Sequence, residues 1–288
     1  MVKPIVKYQG GKSREIKFIS QIMPSKFNRI VEPFCGGAAV SFYFEKPAVL
    51  CDTNWDIINL YKSVAEQQGL RRLCNEVREL LKADHNLLEE RYYIAREIIN
   101  RPYQREFIVE WQRAINYMIV RQLCFSGMER YNSSGEFNVP FGHYKKFSCN
   151  LNYDTSGKYW DMLIYSKLIH GDFELALDEA TVDDFVFLDP PYLDRLGYQG
   201  GDGGDDLHLR LSKKLKDAPY KWMIVHSDHE FYRETYKDFN IMTKDFVYAQ
   251  RFGKDKNHSK AKVQHLYITN YPVQQVAHPT VLQHLEAV

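Results

Sequence analysis

Phe185-Val186-Phe187-Leu188-Asp189-Pro190-Pro191-Tyr192 is an apolar run that stops on a carboxylate, two prolines and a tyrosine. Its first half is rich in β-branched and aromatic residues and reads as a strand buried on both faces. A proline lacks an N–H, and each biases its predecessor away from the α region, so the chain leaves the sheet extended and rigid. In an α/β sheet that edge is where ligands bind. The Asp189 side chain, the carbonyls of Asp189 and Pro190 and the ring of Tyr192 can therefore converge on one cleft. Such a cleft suits a planar group bearing an amine: Asp189 and the Pro190 carbonyl accept its two N–H bonds while Tyr192 stacks on the ring. Acceptors placed there favour a nitrogen whose lone pair is leaving conjugation to attack an electrophile. An ordinary strand end with a Pro-Pro turn and a buried tyrosine is the plain alternative.

Outward from this strand lie two glycine turns. Val6-Lys7-Tyr8-Gln9-Gly10-Gly11-Lys12-Ser13 ends like a phosphate loop, but Val6 stands where that loop needs its first glycine. Two readings remain: a simple turn, or a loop whose glycines let the backbone approach a ligand that Tyr8 and Lys12 touch. Ile30 to Val40, with Glu32, Pro33, Phe34, Gly36 and Gly37, reads as a strand, a glycine turn and a helix. It is not Gly-x-Gly-x-x-Gly, so a dinucleotide fingerprint is absent. The next strand, Ala48 to Cys51, ends on Asp52, where an acidic residue can hold a ribose diol or cap the following helix.

At 288 residues, 34.0 kDa and 44% hydrophobic, the chain can hold one large α/β domain plus an insert. With 38 basic and 37 acidic residues, affinity for nucleic acid has to come from local clustering. Five cysteines without a Cys-x-x-Cys pair indicate neither a zinc site nor a disulfide framework. A reducing, cytoplasmic setting and no membrane association are expected. His226-Ser227-Asp228-His229 reads as caps and sheet-edge groups, so no metal is assigned.

Between Trp55 and Gln122 apolar residues recur at helical spacing, as in Leu73, Val77 and Leu80, or Trp111, Ile115 and Met118, which predicts a packed helical sub-bundle. From Arg121 to Lys146 the character changes. Ser126, Arg130, Asn132, Asn138, Lys145 and Lys146 are interleaved with aromatics around a Ser133-Ser134-Gly135 turn, as in a hairpin able to reach base edges, or as in a solvated loop. After Tyr192 a glycine-rich loop carries Arg195 and Tyr198, and reads either as a lid over a ligand or as a linker. Arg251, Lys254, Lys256 and Lys260 form a basic cluster before the strand Leu266 to Thr269, suited to phosphates.

In order along the chain, Lys7 to Lys12, Glu32 to Gly37, Asp52, Gly135 to Gly142, Gly171-Asp172-Phe173, Asp189 to Tyr192 and His265 to Tyr271 resemble the Dam-type (D12 class, alpha-group) DNA adenine-N6 methyltransferases. The resemblance spans nearly the whole chain. It implies an α/β, Rossmann-like methyltransferase sheet binding S-adenosylmethionine, formed by residues 1–56 and 165–288. A mainly helical target-recognition insert with a β-hairpin is expected at 57–164. On this resemblance Tyr8, Gly11, Lys12, Pro33, Phe34, Gly36 and Gly37 surround the methionine part of the cofactor, with Asp189 beside them. Asp52 holds the ribose, and Asp172 and Phe173 contact the adenine ring. Double-stranded DNA is the partner, held by the Arg121 to Lys146 segment and by the two basic stretches after Tyr192, with the target adenine flipped into the Asp189–Tyr192 pocket. A monomer or weak dimer is expected. Ala38 and Ala39 stand where the family continues in glycine or serine, and Ser126 where it often has asparagine. No cysteine follows a proline, which removes the nucleophile that carbon-5 methylation of cytosine requires. Methylation of an RNA base or a protein glutamine, and a silent DNA-binding relative, are the other readings.

Overall fold

A computed structural model describes residues 1–101, 110–193, 204–247 and 262–273. Seven strands form one sheet: β1 (Ile30–Glu32), β2 (Ala48–Asp52), β3 (Lys167–His170), β4 (Phe185–Leu188), β5 (Lys221–Ser227), β6 (Asn240–Val247) and β7 (Lys262–Thr269). Their order is β3-β2-β1-β4-β5-β7-β6. The first five run parallel, and β7 lies antiparallel between β5 and β6. The strand order reverses between β1 and β4, so their carboxyl ends open a crevice at the centre of the sheet. Ile30 pairs with Phe185 and Val31 with Val186, which brings Glu32 and Asp189 to that crevice together.

The fully buried central strands explain their unbroken apolar runs, because alternate side chains feed two cores. On one face Ile30, Phe185, Phe187, Met223 and Val225 pack against Ile16, Ile19 and Ile22 of α1 (Ile16–Ile22) and Val40 of α2 (Ala39–Phe44). On the other, Val31, Val186, Leu188, Trp222 and Ile224 meet residues of α8 (Phe173–Leu177), α9 (Gly204–Lys216) and α10 (Glu230–Thr235).

Four helices follow the expected spacing, α3 (Trp55–Ala65), α4 (Gln67–Leu80), α5 (His85–Asn100) and α6 (Glu110–Leu123), and a fifth, α7 (Ser156–Ile164), lies beyond the stretch where that spacing was expected. Their apolar faces join a single cluster running from Val2, Ile5 and Val6 through Leu50 to Tyr92, Met118 and Phe141. The helical region thus shares its core with the N-terminal segment and one flank of the sheet. The expected hairpin is an irregular excursion pinned by isolated bridges, Cys124 to Phe141 and Tyr131 to Phe137. Among the described residues no helix is long and apolar enough to cross a membrane.

Candidate active site

The site is assembled at the carboxyl end of β4. Asp189 leaves the strand with its carboxylate against Lys12, whose Nζ lies 2.6 Å from Oδ1 and 2.7 Å from Oδ2. Lys12 opens a short 3-10 turn after the first glycine loop and is 2% exposed. Its ammonium also donates to the Gly10 carbonyl at 2.9 Å and to the Tyr192 hydroxyl at 3.4 Å. Burial raises the Asp189 carboxyl above its ordinary value, while the charge and hydrogen bonds of Lys12 oppose that rise. Each carboxylate oxygen that receives Lys12 keeps a second lone pair, so Asp189 can still accept from a bound amine.

Beside this pair the second glycine turn is held from three directions. Gly36 has φ +42°, and a Cβ there would come within 2.7 Å of the Tyr8 ring, so glycine is what lets Tyr8 lie across the turn. Tyr61 donates to the Gly36 carbonyl at 2.7 Å. Asp52 accepts from the Gly36 N–H at 2.8 Å and from the Asn54 N–H at 2.9 Å. Asn54, not Asp52, caps α3 by accepting from the Asp56 N–H. Asp52 is pushed up to about 6 by burial, although its two backbone hydrogen bonds pull it down. Ala38 takes the left-handed conformation (φ 48°) immediately before α2.

Glu32, for which sequence reading found no separate role, is buried and accepts from both the N–H and the hydroxyl of Ser41 on α2. Burial pushes it up to about 7, against those two hydrogen bonds. At the end of β3, Asp172 caps α8 by accepting from Glu174 and also receives Arg210 at 2.7 Å. Phe173 stacks on Phe34 with centroids 5.3 Å apart and has the Arg210 guanidinium over its ring at 5.0 Å. Its N–H, at the first position of α8, has no partner within that helix. The Asp52 carboxylate stands at the end of β2 and that of Asp172 just past the end of the neighbouring parallel β3.

The segment expected to meet DNA divides. Arg130, Lys145 and Lys146 are exposed, and Ser126 is exposed in a left-handed turn (φ 54°). Arg130 donates to the side chain and carbonyl of Asn138, which fixes its direction. Asn132 accepts from the N–H groups of Ser134 and Glu136 and donates to the Glu136 carboxylate, so it shapes the turn. Arg121 is a correction. It is 1% exposed, and its guanidinium donates to the carbonyls of Lys7, Gly127 and Met128. It braces the loop from inside and offers no surface for DNA. Phe125, 47% exposed beside Ser126, was not singled out by the sequence reading and presents an aromatic ring on the same surface. Gln9 ties the loops together by accepting from the Glu129 N–H at 2.7 Å.

Arg195, Tyr198, Arg251, Lys254, Lys256 and Lys260 lie outside the described residues. His229 caps α10, in line with the reading of that turn as capping groups, and Asp228 pairs with Arg233. Among the described residues no group of three or more His, Cys, Asp or Glu side chains could hold a metal ion.

Comparison with known proteins points the same way as this geometry. The sequence model of the family described as D12 class N6 adenine-specific DNA methyltransferase matches residues 8–250. The chain is 31% identical over 284 residues to Type II methyltransferase M1.LlaDCHI from Lactococcus lactis subsp. cremoris, covering 94% of this chain and 96% of that one. It is 32% identical over 279 residues to Type II methyltransferase M.CviBI from Paramecium bursaria Chlorella virus NC1A, covering 94% and 100%. With the DNA adenine methylase of Haemophilus influenzae the identity is 28% over 277 residues, 92% of each chain.

Proposed function

The chain belongs to the D12 class of N6 adenine-specific DNA methyltransferases, and from that premise we propose how its own residues carry methyl transfer to adenine in DNA. The observation that carries the assignment is the Lys12–Asp189 pair beside Tyr192 at the sheet crevice. The target adenine, turned out of the duplex, lies against the Tyr192 ring. Its N6 amine donates one hydrogen to Asp189 and the other to the Pro190 carbonyl. Two acceptors in that plane draw the lone pair out of conjugation and stabilise the positive charge that grows on N6 as the C–N bond forms and the donor's S–CH3 bond breaks to leave a thioether. One N6 proton is then lost along the Asp189 hydrogen bond to solvent. The base's own amine is the nucleophile, so no covalent enzyme intermediate is needed.

Methyltransferases of this family generally use S-adenosylmethionine, which supplies an electrophilic methyl on a sulfonium. Asp52 is assigned to its ribose, and Asp172 with the Phe173 N–H to its base. Tyr8, Gly11, Lys12, Pro33, Phe34, Gly36 and Gly37 form the wall around the remainder. Residues 57–164 are assigned to target recognition, with Ser126, Arg130, Asn138, Lys145 and Lys146 toward DNA and Phe125 suited to stacking on a base.

Transfer of a radiolabelled methyl group to DNA, RNA and protein tests the reading, with methyladenine located by sequencing. Label in adenine of DNA is expected, lost in Asp189→Ala with most DNA affinity kept. Label in RNA or protein alone, or turnover retained in Asp189→Ala, would overturn it.

A further inference from the structure

Behind Tyr192 lies a chain of buried polar groups that the reaction as described does not use. Glu15, immediately before α1, accepts through Oε2 from the Tyr267 hydroxyl at 2.5 Å and from His265 Nδ1 at 2.9 Å. His265 and Tyr267 are alternate residues of β7, so they reach the same face of the sheet. With Glu15 accepting at Nδ1, the tautomer that carries its proton there presents Nε2 as an acceptor. That nitrogen stands 3.4 Å from the Tyr192 hydroxyl, which also receives Lys12.

One order satisfies all of these groups. Lys12 donates to the Tyr192 oxygen, Tyr192 donates to His265 Nε2, and His265 Nδ1–H donates to Glu15. Burial raises the Glu15 carboxyl, but the His265 hydrogen bond and the Lys12 charge outweigh it and hold the group below its ordinary value, so the far end stays anionic. On the other face of the sheet, His226 of β5 sets its ring against Tyr192 with centroids 4.8 Å apart and planes at 62°. Burial pushes His226 down to about 3, so it remains neutral and adds no competing charge.

We propose that Glu15 and His265 form a buried positioning dyad that fixes the Tyr192 hydroxyl, and with it the ring plane on which the target adenine stacks. The proposal rests on the assignment of Tyr192 as the stacking surface. His265 touches no substrate and acts through Tyr192. A reacting base needs its platform within a fraction of an ångström, and a phenol with both its donor and its acceptor capacity engaged cannot swing.

The test is a double-mutant cycle in single-turnover methyl transfer on a duplex carrying the mapped site. Tyr192→Phe and His265→Gln should each slow transfer about tenfold, and together still about tenfold, because both remove the same restraint. With 2-aminopurine at the target position, fluorescence in the complex should rise by a common factor in all three variants as the base loosens from Tyr192. Affinity for the methyl donor should stay within about twofold of wild type. A double variant slowed about a hundredfold, or single variants with an unchanged 2-aminopurine signal, would overturn the dyad. Should His265→Gln fail to fold, Glu15→Gln keeps the volume and an acceptor while removing the charge, and its cycle with Tyr192→Phe should show the same non-additivity. A wild-type protein that leaves adenine unmethylated, while the three variants still raise 2-aminopurine fluorescence by a common factor, would sink the assigned reaction and leave the dyad standing.

Discussion

Replacing Lys12 by methionine asks why a buried cation faces Asp189. The two meet at 2.6 Å, with Lys12 2% exposed and Asp189 20% exposed. Unit charges at that separation attract by about 6 kcal/mol at an effective dielectric near 20, and desolvation cancels part of this. Removing one partner of such a pair costs about 3–5 kcal/mol in practice. Burial already raises the Asp189 carboxyl, and loss of the Lys12 charge and hydrogen bonds removes what opposes that rise, so the carboxyl moves further up. The larger protonated fraction turns from acceptor to donor toward the adenine amine. Single-turnover transfer by Lys12→Met should fall by at least about 100-fold at pH 7 and recover by up to about tenfold per unit toward pH 9, whereas wild type shows no such climb. Asp189→Asn should show a loss that does not vary with pH. The variant's stability carries the same sign. Its folded Asp189 pKa lies above the unfolded value, so the folded chain binds more protons and stability falls as pH rises from about 4 through the folded pKa. Its melting temperature should therefore lag wild type more at pH 8 than at pH 5. A rate defect equal at every pH would refute the argument that Lys12 keeps the carboxylate ionised.

Three further outcomes follow from the structure. Asp52, raised by burial to about 6, accepts ribose hydroxyls most strongly as the anion, so donor affinity measured by calorimetry should be flat above that pH and fall by up to about tenfold per unit below it. The inflection should vanish in Asp52→Asn. Lys145→Ala and Lys146→Ala should each lower the salt slope of DNA binding by about one with stability unchanged to about 0.5 kcal/mol. Arg121→Met should instead cost about 3–5 kcal/mol of stability, read as a lowered urea midpoint, because it leaves the largely buried Glu129 carboxylate without its cation and the Lys7, Gly127 and Met128 carbonyls without their donor. A folded Arg121→Met protein with a reduced salt slope would return Arg121 to the DNA surface.

The central sheet was legible because its strands are buried on both faces. Phe185–Leu188 and Ala48–Asp52 are uninterrupted apolar runs closed by a carboxylate, and the observed strands end where those runs do. The antiparallel edge was less so. β6, Asn240–Val247, was not anticipated, and β7 begins at Lys262, before the apolar stretch from Leu266. Lys244, Asp245 and Gln264 interrupt both strands. Charges on an edge pair are a device that discourages further pairing, and they erase the run by which an inner strand is recognised.

The site shows a different limit, one of partners. Periodicity tells which face a residue takes, not what it meets there. Lys12 was read as a residue that touches a ligand, yet much of its hydrogen-bonding capacity goes to a carboxylate 177 positions away, and Glu15 finds His265 at a separation of 250. No local pattern encodes those pairs. Arg121 did carry a usable signal: it sits four residues after Tyr117 and eight after Arg113, on the apolar stripe of α6, where a charged side chain is seldom buried unless paired. Both arginines are buried there, Arg113 against Asp56 and Arg121 against backbone carbonyls. A basic residue on an apolar face therefore argues for an interior brace, and one in the polar turn that follows, such as Arg130, for the surface DNA can reach.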